Sequence, residues 1–237
     1  MSYGFAPYVS VAEKKEKIRR SLIKLRKKDP SIAPVEIIGS KIAKTWWGIA
    51  WNQNMESYAD FYNRIDRGRN YVRQGALLDL KISEGRINAL VQGSRAKPYE
   101  VEIVIAPLPK AKWKKVNALC NHQIESLEEL IEGKFPKELE VIFKDKDYGL
   151  FPSPKEIRFN CSCPDGAYVC KHIAATLYGI GARLDENPLL FFELRNIDSK
   201  ALIQKSMDDK LHTMLKNAGK KSKREIDEKD ITDIFGI

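Results

Sequence analysis

The chain has 237 residues, 43% hydrophobic and 31% charged, a balance that suits one large or two small globular domains with a buried core. No run approaches the ~18 uninterrupted apolar residues of a membrane span. The opening MSYGFAPYVSVAEKKEK lacks a basic segment followed by an apolar one, so no secretory signal or membrane partner is expected and cytoplasmic residence is the default. The net charge of +9 is unevenly placed, because residues 1–44 carry eleven Lys or Arg against four Asp or Glu. Such a segment is either a solvated basic helix or a contact for a polyanion, with nucleic acid the usual candidate.

Ser10 and Glu13 form an S-x-x-E capping box that predicts a helix start. Ile18, Leu22 and Leu25 give that helix a narrow apolar stripe, and Asp29-Pro30 stops it. A short extended run, Val35 to Ile38, leads into KTWWGIAW, where Trp47 and Trp51 share a helical face. Core packing is the first reading of these indoles and base stacking the second. In RIDRGRNYVRQG, Arg64, Arg67, Arg69 and Arg73 surround Tyr71. They are candidates for phosphate contact and base stacking, against a solvated turn and helix start whose arginines pair with nearby acids.

Three period-two segments follow. Leu78, Leu80 and Ile82 alternate with Asp79 and Lys81, then Ile87, Ala89 and Val91 with Asn88 and Leu90, then Tyr99, Val101, Ile103 and Ile105 with Glu100, Glu102 and Val104. They predict an antiparallel meander with one buried face, its first hairpin turning at Ser83-Glu84-Gly85. A helix is expected over 111–132, with Trp113, Val116, Cys120, Ile124, Leu127 and Ile131 on its apolar stripe. A short strand is expected from Leu139 to Phe143. Lys220, Lys221, Lys223 and Arg224 mark a charged linker before a terminal hydrophobic motif of Ile231, Ile234, Phe235 and Ile237.

The chemistry lies in EIRFNCSCPDGAYVCKHIAATLYGIGARL. Its pattern is C-x-C-x6-C-x-H, formed by Cys161, Cys163, Cys170 and His172. Cys161 and Cys163 are two apart on a strand-like run, so both thiols point the same way. Pro164-Asp165-Gly166 turns the chain back, and His172 falls in the first turn of a helix. Three thiolates and one imidazole suit tetrahedral Zn2+ with every position filled by protein, a structural site. A redox C-x-C pair would leave Cys170 and His172 unexplained. Cys120 and His122 also read C-x-H, but on a helix they point about 200° apart, so neither is expected to be a ligand. His212 reads as a surface residue.

These segments resemble the SWIM zinc finger family, whose pattern is C-x-C-x(n)-C-x-H. KTWWGIAW, NRIDRGRNYVRQG, ALVQGS, LFPSPKEI, CSCPD and CKHIAATLYGIGARLDENP are similar to stretches of prokaryotic SWIM-finger proteins, over roughly residues 7–196 and weakly again at DIFGI. The resemblance implies that the four residues bind one structural Zn2+. It also implies a role in binding DNA or protein, often beside a Swi/Snf-type helicase ATPase. Family members often carry an aromatic after CSCPD, where this chain has Gly166; Tyr168 is placed to fill that space.

The expected fold is α+β: an antiparallel meander packed with helices, plus a small zinc-stabilised β-hairpin–helix. The division expected is a basic helical arm over 1–33, an α+β domain over 34–150, the finger region over 151–200, and a linker with terminal motif over 201–237. No G-x-x-x-x-G-K-[ST] loop or H-E-x-x-H is present, and the acids are scattered, so neither catalysis nor a small-molecule substrate is expected. The first functional reading is a nucleic-acid-associated module, DNA before RNA. Arg64, Arg67, Arg69, Arg73 and Lys171 are its candidate contacts. The alternative is a protein adaptor or an accessory subunit of a Swi/Snf-type helicase. An enzyme with an unrecognised site comes third.

Overall fold

In the computed structural model, residues 9–58, 62–120, 137–145 and 149–198 are described, together with 208, 211, 212 and 214–216. Helix α1 (Val11–Lys28) starts at Ser10, whose side chain accepts from the Glu13 N–H while the Glu13 carboxylate accepts from the Ser10 backbone. It ends one residue before Asp29-Pro30. None of its residues is fully buried, and Ile18, Leu22 and Leu25 are half-buried, as a surface helix with a narrow stripe requires. The extended segment after it lies along the first strand, with Val35 N–H donating to Leu77 O and Leu80 N–H to Ala33 O.

Helix α2 (Trp46–Glu56) is capped by Thr45, and α3 (Tyr62–Arg73) follows. Strands β1 (Leu77–Ser83), β2 (Arg86–Val91), β3 (Tyr99–Ile105) and β4 (Ile157–Cys161) form one antiparallel sheet in sequence order. The expected α+β meander is present, and its first turn has Glu84 and Gly85 at φ 42° and 75°. Two consecutive residues at positive φ are what a two-residue hairpin needs to match strand twist. The alternation in β2 and β3 holds: Ile87, Ala89, Val91, Tyr99, Val101, Ile103 and Ile105 are all buried.

Strand β1 departs from its pattern. Leu77 faces Val91 and Asp79 faces Leu90, so Leu78 is the extra residue of a bulge. Leu77 and Leu80 therefore enter the core together, while Leu78 is buried outside that cluster. A second departure is helix α5 (Lys137–Lys144), where a strand from Leu139 to Phe143 was expected. Val141 is 72% exposed and Phe143 is 1% exposed, which the alternation of a strand does not produce. Glu140 and Lys144 pair at i, i+4, a helical spacing. Helix α4 (Lys110–Cys120) carries the first part of the helix expected over 111–132, and the rest of that span lies outside the described residues. So do His122 and the terminal motif at 231–237.

The central element is α6 (Lys171–Glu186), followed by the short α7 (Leu190–Glu193). Every residue of α6 from His172 to Ala182 is buried, because the helix crosses the inner face of the sheet and is flanked by α2 and α3. Trp51, 1% exposed, donates its indole N–H to Leu177 O, and Trp47 donates to Leu184 O. Each indole thus buries its apolar body and satisfies its polar atom, the core role expected of this pair. The opposite face of the sheet carries Asn88, Glu100, Glu102 and Asn160, with Leu90 and Val104 half-buried among them. Among the described residues no helix is long and apolar enough to cross a membrane.

Candidate metal centre

The cluster is assembled where the sheet edge, a turn and the start of α6 meet. Cys161 is the last residue of β4 and faces Val101 across the ladder. Ser162 extends the pairing, with its N–H donating to Glu100 O at 3.0 Å and its hydroxyl accepting from Glu100 N–H at 2.9 Å. The turn is held by Asp165, which accepts from Ala167 N–H and pairs with Arg64 of α3 at 2.9 Å. Cys170 then occupies the N-cap of α6, with extended dihedrals of −71° and 166°. His172 lies in the first turn.

The ligand atoms of Cys161, Cys163, Cys170 and His172 all lie within 4.8 Å of one another. These four residues could hold one metal ion. His172 Nδ1 is 3.8 Å from Cys161 Sγ and 3.9 Å from Cys170 Sγ. A tetrahedral zinc with ordinary bond lengths would place sulfur and nitrogen ligands about 3.6 Å apart. The described cysteines form no disulfide.

Charge supports the same fit. Accepting a hydrogen bond from Cys161 is the main reason that Cys170 is held down to about 4, with a smaller contribution from His172. The same contact, and then burial, pushes Cys161 well above a normal thiol. Burial pushes Cys163 up as well. Three thiolates in so small a volume need a cation, and a divalent ion supplies it.

The imidazole is held by rings. Tyr99 stacks on it with centroids 4.2 Å apart, and Tyr71 meets it edge-on at 5.5 Å. His172 is 1% exposed, and its Nε2 has no hydrogen-bond partner among the described residues. A Cβ added to Gly93 would lie 3.1 Å from that atom, so the loop backbone closes this side. The arrangement directs Nδ1 to the sulfurs. Tyr168 packs edge-on against Phe159 at 5.1 Å, while a Cβ added at Gly166 would meet nothing within 4 Å.

The five basic candidates separate into groups. Arg64 pairs with Asp165, and Arg69 pairs with Glu56 and Asp66 at 2.8 Å each. Arg73 is exposed at the end of α3. Arg67 and Lys171 line one cleft beside the metal cluster, joined there by Lys14 and Lys17 of α1. Sequence reasoning did not single out Tyr99, Gly93, Lys14 or Lys17. Tyr99 read only as one apolar position of a strand, and nothing local to α1 shows which elements its lysines approach. His212 is exposed, as expected.

No family model matches the chain, and no solved structure matches it. The chain is similar to an uncharacterized protein of Mycobacterium tuberculosis, Rv2102, at 36% identity over 163 residues. The match covers 68% of this chain and 58% of that relative, so the chain spans little more than half the relative's length.

Proposed function

We propose that the chain is a SWIM-type zinc protein acting as a non-catalytic, nucleic-acid-associated binding module, with one structural Zn2+ on Cys161, Cys163, Cys170 and His172. The observation that carries the reading is the closed cluster: four protein ligand atoms within 4.8 Å, with the imidazole packed between Tyr71 and Tyr99. Four protein donors fill a tetrahedral ion, so no position is left for a substrate or an attacking water. Borderline-soft thiolate and imidazole donors in tetrahedral number favour zinc over hard cations such as Mg2+ or Ca2+. The nucleic-acid part is supported by the net charge of +9 and by the basic α1.

The test has two parts. Metal analysis of the purified chain should give one zinc per chain, and Cys163→Ser should lower it. Anisotropy with labelled single-stranded DNA, RNA and duplex DNA should show binding that falls steeply between about 50 and 200 mM salt, because phosphate contacts release counterions. A chain that purifies and refolds equally well without zinc would sink the first part. Absence of binding to all three probes at the lower salt would sink the second. In that case the adaptor reading, with a helicase-type ATPase among its candidate partners, takes its place.

A further inference from the structure

Beside the metal cluster a cleft of about 460 Å3 opens between α1, α3, the turn after β2 and the first residue of α6. Lys14 and Lys17 reach it from α1, Arg67 from α3 and Lys171 from α6, and no carboxylate lines it. Among the described residues none of these four is in an ion pair, in contrast to Arg64 and Arg69 on the same helix as Arg67. Four cations line one cleft whose wall holds no carboxylate, Asp165 acting on Lys171 only from outside it, and such a positive field is one that an anion relieves. Lys17 donates to the carbonyls of Gly93 and Ser94 at 3.0 and 2.7 Å. That fixes its ammonium at the rim and leaves one of its three donors for a ligand.

The rest of the lining is of another kind. Ile18 and the half-buried Tyr71 give it apolar surface. Gln92, 3% exposed, also lines the cleft, and its side-chain carbonyl has no donor among the described residues. A cationic rim and an apolar floor match two parts of a nucleotide, phosphate and ring face. The volume falls within the few hundred to about 1,000 Å3 of small-ligand sites.

We infer that this cleft holds one nucleotide unit of a single strand of nucleic acid. The phosphates lie on Lys14, Lys17, Arg67 and Lys171, and the base lies over Ile18 and Tyr71. The inference rests on the nucleic-acid reading above and narrows it to a strand form and a place. A duplex keeps its bases stacked and paired inside, so it could offer this cleft phosphates alone. An unpaired strand offers a free ring face as well.

The test uses the full zinc-loaded chain and a fluorescein-labelled mixed-sequence single strand, with its duplex and free AMP as competitors. The single strand should bind at least tenfold more tightly than the duplex. Its affinity should fall with a log–log salt slope of about −3, since each of four contacts contributes about −0.7. The double variant Lys14→Glu/Arg67→Glu should weaken binding at least tenfold and flatten the slope by about 1.4. Lys41→Glu/Lys110→Glu makes the same charge change on exposed residues outside the cleft, and it should alter affinity less than about threefold. Circular dichroism and zinc content check that each variant is folded. Strand binding that ignores Lys14→Glu/Arg67→Glu would overturn the cleft and leave the nucleic-acid reading standing. Equal affinity for duplex, or AMP competing as strongly as the strand, would overturn the single-strand assignment. A wild-type chain that binds no nucleic acid would overturn both.

Discussion

The ring of Tyr99 lies against the imidazole of His172 with the planes 28° apart, so the first residue of β3 supports a ligand-type residue on the first turn of α6. Replacing a residue that orients a metal ligand commonly costs 10–100-fold in metal affinity. Tyr99→Ala should therefore lower zinc affinity about tenfold or more and cost about 3 kcal/mol of stability. Tyr99→Phe, which keeps the ring, should retain both. Competition against a chromophoric chelator checks the first effect and urea unfolding the second. An unchanged affinity in Tyr99→Ala would show that the stacking does not position the ligand.

Chelation should reach well beyond the turn. Structural zinc contributes on the order of 10–16 kcal/mol in finger peptides, while whole domains are stable by only about 5–15 kcal/mol. Here β4 belongs to the main sheet and α6 fills the core. Trp47 and Trp51 donate to carbonyls of α6. Removing the metal should thus shift tryptophan emission to the red as α6 loosens. Emission that stays constant while zinc is released would mean that α6 remains docked without the ion.

Gly68 of α3 sets the approach of that helix to α6. An added Cβ would collide with Ala174 Cβ and lie 3.0 Å from the Ala174 carbonyl carbon and the Ala175 nitrogen. Alanine improves helix propensity by up to about 1 kcal/mol, but overpacking against backbone costs about 1–3 kcal/mol. Gly68→Ala should be destabilising by a net of about 1–2 kcal/mol in chemical denaturation. A stabilised variant would show that the two helices can separate freely.

Arg195, 1% exposed, donates to Glu156 at 2.6 Å. Burial alone would raise the Glu156 carboxyl, but hydrogen bonds from Arg195 and the Ser153 N–H outweigh it and hold it below its ordinary 4.5. The pair's contribution is therefore complete above about pH 4.5 and is lost as pH falls through the lower value of the folded state. Glu156→Gln should remove that part of the acid dependence. Urea midpoints of the two proteins should differ most near neutral pH and converge toward pH 3. A constant gap across that range would exclude the linkage.

The four-residue cluster was legible because its members lie within twelve residues, where a strand, a turn and a helix start have local signatures. The meander was legible from period two in β2 and β3. The bulge at Leu78 was not, because it depends on what Val35 and its neighbours do beside β1. The strand expected near Val141 failed since a short apolar run carries no period of its own, and the Glu140–Lys144 spacing was the available helical clue. The aromatic walls around His172 come from segments about 70 and 100 residues earlier, a distance that local patterns do not span.

The pairing of Val101 with Cys161 would give an ion bound at the cluster a part in folding. Moving β4 by one residue would turn Cys161 to the polar side of the sheet, away from His172. Such a slipped register would withdraw one sulfur from the coordination shell, so an ion captured early would discriminate against it. The metal would then act as a proofreader of strand alignment before it serves as a brace for the finished fold.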